Sequence, residues 1–172
     1  TGRRPKDVPV YFYITLDKPI EGIVSWKEGR IARTRIPARI AGKSAGMAVK
    51  FSTTKGEKVQ MKVGISFTSV ENARNNMITE APGWDFDRIR DDAYEKWDEM
   101  LGRIHVEGGT HQQQVKFYTD LWHSLLGRHM VSDVNGHYMD MTGDFPVVRQ
   151  IPLDEKGKPE YAHYNFDAWW GS

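Results

Sequence analysis

The chain has 172 residues, 39% of them apolar, which suits one or two small domains with a core of their own. Its 24 Lys and Arg stand against 23 Asp and Glu, so no net field draws it to nucleic acid or to an anionic membrane, and polar small molecules remain as partners. Absent cysteine excludes disulfides and thiolate metal sites, and no run approaches the roughly 18 apolar residues of a membrane helix, so no membrane span is expected. Residues 1–7 lack the apolar stretch of a signal peptide, which places any export signal upstream.

The first element is a strand over residues 10–16, where Val10, Phe12, Ile14 and Leu16 alternate with Tyr11, Tyr13 and Thr15, the period of a strand with one buried face. Weaker strands follow at 23–26 and 30–36, and stronger ones at 47–52 and 59–67. In the last, Val59, Met61, Val63, Ile65 and Phe67 point one way. Turn formers separate them: Asp17-Lys18-Pro19, Lys27-Glu28-Gly29, Ala41-Gly42-Lys43-Ser44 and Lys55-Gly56-Glu57. Short strands joined by tight turns predict an antiparallel sheet or part of a sandwich.

The pattern changes at Thr68. Thr68 with Glu71 three residues on has the form of a capping box, opening a short helix through Met77 that Pro82 and Gly83 end. Asp85 caps a second helix, in which Phe86, Ile89, Ala93, Trp97, Met100, Leu101 and Ile104 keep the spacing of one face. Thr110 and Gln113 form another capping box, and Val115, Tyr118, Leu121, Trp122, Leu125 and Leu126 make a stripe that ends near Gly127. Beyond Gly127 loops are expected to dominate, with Asp133-Val134-Asn135-Gly136 a turn between Met130 and Tyr138 because Asn-Gly favours tight hairpins.

Several constellations invite chemistry. Asp133-Val134-Asn135-Gly136 lacks the closing glutamate of a calcium-binding EF-hand loop and reads as a turn. The six histidines show no metal-binding spacing, so no zinc is expected. Glu107-Gly108-Gly109-Thr110 lacks a Walker lysine and reads as a connector. Asp140, Asp144 and Asp167 lie among aromatic residues, as in clefts that process sugars, but sequence alone does not pair them as acid and base. Phe166, Trp169 and Trp170 crowd the last residues beside Asp167.

Residues 63–76, VGISFTSVENARNN, resemble the segment that leaves the N-terminal sandwich in glycoside hydrolase family 92, the calcium-dependent exo-acting α-mannosidases. The resemblance continues, in order, through residues 97–101, 104–110 and 117–123, the turn 133–138, and the segment Asn165-Phe166-Asp167-Ala168-Trp169-Trp170, which resembles the approach to a Trp-Asp motif lining the sugar pocket. Together these cover most of the chain from about residue 8. Trp170 stands where many relatives carry the aspartate, so Asp167 and Trp169 are carried over as substrate-binding, pocket-lining residues rather than as acid or base.

The resemblance implies an α+β chain: the end of an antiparallel β-sandwich over residues 1–69, a helical linker over 70–107 and the start of an (α/α)6 catalytic barrel over 108–172. It implies removal of terminal α-linked mannose from mannose-containing glycans by an inverting mechanism in which calcium helps bind and distort the sugar. The calcium ligands are not assigned. Catalytic acid and base are expected downstream, with none in this chain, which is then inactive alone. Location outside the cytoplasm follows from the same resemblance: secreted, periplasmic or at the cell surface. The reading of a different class is a non-catalytic carbohydrate-binding sandwich with appended helices; a nucleic-acid module is disfavoured by the neutral charge.

Overall fold

The computed structural model describes residues 8–33, 44–126 and 129–165. The chain is α+β and forms two compact units, one of residues 15–62 and one of residues 1–14 with 63–172. The expected strand end near Ile36, the turn at 41–43 and the helix end at Gly127 lie outside the described residues.

In the smaller unit, β2 (Gly22–Lys27) pairs antiparallel with β3 (Arg30–Arg33) and with β4 (Gly46–Lys50), in the order β3-β2-β4. Lys27 faces Arg30 across a two-residue turn whose Glu28 and Gly29 both have positive φ, 52° and 75°. That is the turn whose twist matches a hairpin, and it is where the sequence places one. Gly46 opposes Trp26, and a Cβ there would lie 2.2 Å from the indole, so the ring occupies the space that a side chain would need. Glu21 accepts from the Ser52 hydroxyl at 2.8 Å and its backbone N–H at 3.1 Å, which lowers the pKa of its carboxyl. Glu57, paired with Lys18 and accepting from the Thr54 backbone, is lowered to about 2 and closes the turn after β4.

The larger unit is built on α1 (Val70–Glu80), which buries Asn72, Ala73, Asn76 and Met77. These positions, i, i+1, i+4 and i+5, form one stripe of a helix. β1 (Tyr11–Leu16) pairs with β5 (Met61–Ser66), and Gly64 of β5 lies so close to α1 that a Cβ would stand 2.0 Å from the Ala73 carbonyl oxygen and 2.7 Å from the Met77 Cβ. On β1 the Tyr13 ring meets the Arg74 guanidinium at 6.0 Å. The helix therefore covers the side of the ribbon that carries Tyr13 and Gly64. The alternating apolar residues occupy the other side: Phe12 is 61% and Ile65 55% exposed. The apolar Phe12 and Ile14 face is therefore not the one that α1 covers, because close helix approach selects small and polar residues rather than bulky ones.

The cap of α1 also differs by one residue from expectation. Ser69, in extended conformation, accepts from the Asn72 N–H at 3.0 Å. Thr68 is not the cap because its hydroxyl has other partners, described below. α2 (Phe86–Leu101) is capped by Asp85, whose carboxylate accepts from the Arg88 N–H at 3.0 Å, as the sequence indicates. It ends at Leu101, short of Ile104, and the Ile104 carbonyl instead accepts from the Tyr118 hydroxyl at 3.1 Å. The box at the start of α3 (His111–Leu126) forms as expected: Gln113 accepts from the Thr110 N–H at 2.8 Å, and Thr110 Oγ1 accepts from the Gln113 N–H at 3.3 Å. Trp97 and Trp122 meet edge to face at 6.3 Å between α2 and α3.

After α3 the chain is less irregular than expected. β6 (His129–Met130) pairs with β9 (Tyr164–Asn165), and β7 (His137–Asp140) with β8 (Val147–Gln150), all antiparallel. The turn at 133–136 exists, with Gly136 at φ 86°, but the strands that flank it, β6 and β7, pair elsewhere. Elements of two to four residues are too short to show periodicity in sequence. Ile151, fully buried, donates its N–H to the Gly136 carbonyl at 2.9 Å and anchors this region.

Gly64→Ala is expected to destabilise the polypeptide by about 1–3 kcal/mol, because the backbone of α1 must move to admit the methyl group. Urea denaturation measures it, and an unchanged midpoint would show that α1 does not rest on β5 this closely.

Candidate functional site

The densest group of buried polar side chains lies where β5, α1 and the 133–137 turn meet. Asp133 is 5% exposed. Its Oδ1 accepts from Asn76 Nδ2 at 2.7 Å and its Oδ2 from the Thr68 hydroxyl. Asn76 also donates to the Ile65 carbonyl at 2.9 Å, and its Oδ1 accepts from the Val134 N–H at 2.9 Å. A backbone N–H can only donate, so the orientation of the Asn76 amide follows, and both its N–H bonds are used. One side chain thereby ties a helix to a strand and to a turn.

The same logic runs outward to the surface. The His137 backbone N–H donates to Asn135 Oδ1 at 3.2 Å, so Asn135 Nδ2 is the donor to Asn72 Oδ1 at 2.9 Å. Asn72 Nδ2 then faces Thr68 Oγ1 at 2.7 Å and His137 Nδ1 at 3.0 Å. An amide NH2 has nothing to accept with. His137 therefore accepts at Nδ1 and carries its proton on Nε2. Ser66 completes the set, its hydroxyl accepting from the Thr68 N–H at 2.9 Å and lying 3.0 Å from Thr68 Oγ1. Since the Thr68 proton goes to Asp133, Ser66 is the donor of that pair.

Above this network a hollow of about 430 Å³ opens, lined by Glu71, Asn72, Asn75, Asn135, His137 and Val148 with Thr68 and Ser69. Val148 is its one apolar residue, and polar and apolar atoms share the lining about equally. A second hollow, of about 440 Å³, lies against α2 and α3, among Leu101, Val115, Tyr118 and Trp122, and is mainly apolar.

Of the sequence-derived site residues, Asp167 and Trp169 lie outside the described residues, as do Phe166 and Trp170; β9 leads into them from its pairing with β6. Asp140 is a structural group. It accepts from the Thr142 hydroxyl at 2.6 Å and backbone N–H at 2.9 Å and pairs with Arg149 across the β7–β8 hairpin; these contacts hold its pKa down to about 2. Asp144 is exposed at the tip of that hairpin. Asp154 accepts from the N–H groups of Lys156 and Lys158 and closes a turn. No three of these carboxylates converge.

Among the described residues no group of three His, Asp or Glu side chains is placed to hold a metal ion. Calcium takes six to eight oxygen ligands, and the two oxygens of Asp133, the most buried carboxylate, are already committed to Thr68 and Asn76. The described residues do not fit a calcium ion. What sequence reasoning missed is the role of Thr68, Asn72 and Asn76. Their four-residue spacing, beside Ala73 and Met77, is the sign of a polar row on a buried helix face.

Asp133→Ala leaves the Asn76 and Thr68 donors unmet and is expected to cost about 1–3 kcal/mol, with a coupling of about 1 kcal/mol to Asn76→Ala in a double-mutant denaturation cycle; additive effects would show that the two side chains do not meet. Asp140 has a folded-state pKa below its ordinary 3.8, so its stabilisation is present above pH 4 and lost as pH falls toward 2. Thr142→Val is expected to move the Asp140 midpoint upward in a carboxyl 13C titration. No movement would assign the shift to the residue 142 N–H and Arg149.

Comparison with known proteins gives these features a family. The sequence profile of the Glycosyl hydrolase family 92 catalytic domain matches residues 72–171, and so takes in α1, the turn at 133–137 and all that follows. A protein of Arthroderma benhamiae described as an uncharacterized secreted glycosidase is 33% identical over 107 residues, 60% of this chain and 13% of that protein. The fold is similar to that of a family 92 inverting mannosidase of Bacteroides thetaiotaomicron, with a TM-score of 0.70 and 24% identity over 89% of this chain and 21% of the other. A family 92 α-mannosidase of the same bacterium gives a TM-score of 0.68 and 23% identity over 90% of this chain and 20% of the other. At these identities the structural likeness speaks for the fold, and the chain spans about a fifth or less of the length of these relatives. The profile match takes in more than half of the 172 residues, and the chain belongs to glycosyl hydrolase family 92.

Proposed function

We propose that this chain is part of an enzyme that removes terminal α-linked mannose from glycans with inversion at the anomeric carbon. The observation that carries the reading is the family match over residues 72–171, and the α-mannosidases among the structural neighbours support its substrate class. Residues 1–69 form the end of a β-sandwich, 70–107 a helical linker and 108–172 the start of an (α/α)6 barrel in this reading. Asp167 and Trp169 line the mannose pocket, the carboxylate binding hydroxyls and the indole packing on a sugar face.

Inversion needs a protonated acid and an ionised base roughly 6.5 to 9.5 Å apart, with a water between base and sugar. Asp133 and Asp140 serve the fold; in this reading the acid, the base and the calcium site belong to other parts of the longer polypeptide. The chain's own contribution is positional: the Asp133 network ties β5 and α1 to the turn from which β7 runs. Secretion is part of the reading, motivated by the fungal relative's description.

The test is hydrolysis of an aryl α-mannoside by the longest natural polypeptide that contains this segment, with calcium and then with a chelator. Release of β-mannose as the first product, abolished by the chelator, is the expected result. Initial release of the α-anomer would overturn the inverting assignment, and no release would favour a non-catalytic role. Trp169→Ala is expected to lower kcat/KM about tenfold, the ~1.4 kcal/mol of one lost stacking contact.

A further inference from the structure

The hollow above the Asp133 network has a definite hydrogen-bonding character. On one wall stands His137, whose Nδ1 is taken by Asn72 so that its Nε2 carries a proton, and that N–H has no partner among the described residues. The lining also includes Glu71, in the first turn of α1, and Asn75 one turn on. Neither side chain has a hydrogen-bond partner among the described residues. The hollow thus offers a fixed donor, an ionisable acceptor and a group that can do both.

Charge narrows the choice of ligand. Glu71 repels an anion, and a bare cation would gain nothing from the imidazole N–H. A neutral molecule with adjacent hydroxyls satisfies all three groups, because one hydroxyl donates to the carboxylate while its neighbour accepts from the imidazole. The volume, about 430 Å³, lies in the range of small-molecule sites. Polar and apolar surface share the lining about equally, which suits the mixed C–H and O–H faces of a polyol better than a wholly apolar aromatic or acyl compound. The donor is prepared in advance, since its tautomer is set by a chain of bonds that begins at buried Asp133, and its ordering cost is met in folding rather than in binding.

We propose that this hollow binds one neutral, monosaccharide-sized polyol per chain, held by Glu71, Asn75 and His137. The inference stands whether or not the polypeptide hydrolyses mannosides.

The probe is 1,5-anhydromannitol, which has no glycosidic bond to cleave, bound to the longest natural polypeptide that contains this segment and measured by equilibrium dialysis. So open a site is expected to have a Kd of about 1 mM. Glu71→Gln is expected to weaken that site about tenfold, through loss of a charged acceptor. Val148→Trp, which fills the hollow without touching the network, is expected to lower the number of bound molecules by one. Hydrolysis by the unsubstituted protein, followed in parallel, reports separately on the enzymatic reading: an inactive protein that still loses one bound molecule on Val148→Trp keeps the hollow and loses the enzyme. An unchanged stoichiometry in Val148→Trp together with an unchanged affinity in Glu71→Gln would overturn the proposal.

Discussion

A carboxylate shut away from water is costly unless its oxygens find donors, and Asp133 finds one for each oxygen in two other parts of the fold. Its own residue sits at the start of a turn, Thr68 follows β5, and Asn76 lies in the middle of α1. Because Asn76 also bonds the backbone on both sides, at Ile65 and Val134, the carboxylate cannot be satisfied unless strand, helix and turn stand in one relation. This is a demand for specificity rather than a source of large stability. It explains how residues 57 positions apart in sequence are held against each other where few apolar side chains among the described residues are fully buried.

Close approach is the second constraint, and it follows from the first. For Asn76 to reach the Ile65 carbonyl, α1 must lie almost on the backbone of β5, and a residue with a Cβ at position 64 would prevent it. The consequence shows in where the large side chains go. Phe12 on β1, and Met61, Val63 and Ile65 on β5, take the opposite side of the ribbon, leaving Gly64 and Ser66 for the helix. A strand whose bulky face turns from its helix looks inverted by simple hydrophobicity. It is consistent once the polar network is seen to be what the helix is for.

The long elements were legible because their signals are local. Alternation marked β1 and β5; Asp85, and Thr110 with Gln113, marked helix starts that formed as read, and Glu28-Gly29 marked a hairpin turn. The cap of α1 shifted from Thr68 to Ser69 because Thr68 is claimed by a carboxylate 65 residues away, which no local pattern reports. β6 to β9 are too short for a period, and their pairing is set by where the network fixes the turn. The family was readable from ordered motifs. The role of Asn72, Asn76 and His137 was not, because amides carry no charge pattern and their meaning lies in which partner they face.

The electrostatics bear on what chemistry these residues can do. The carboxylates of Glu21, Glu57 and Asp140 are all shifted downward, by the hydroxyl of Ser52, by Lys18 and by the hydroxyl of Thr142 respectively. Donors that favour the charged form make good struts and poor acids. A general acid for glycoside hydrolysis needs the reverse, a carboxyl kept protonated near neutral pH by an apolar or anionic surrounding. The acidic side chains held in turns and hairpins here are therefore spent on architecture. The groups around the hollow are of another kind, an imidazole N–H, an amide and an exposed carboxylate without partners among the described residues, and such groups bind hydroxyls without transferring their protons.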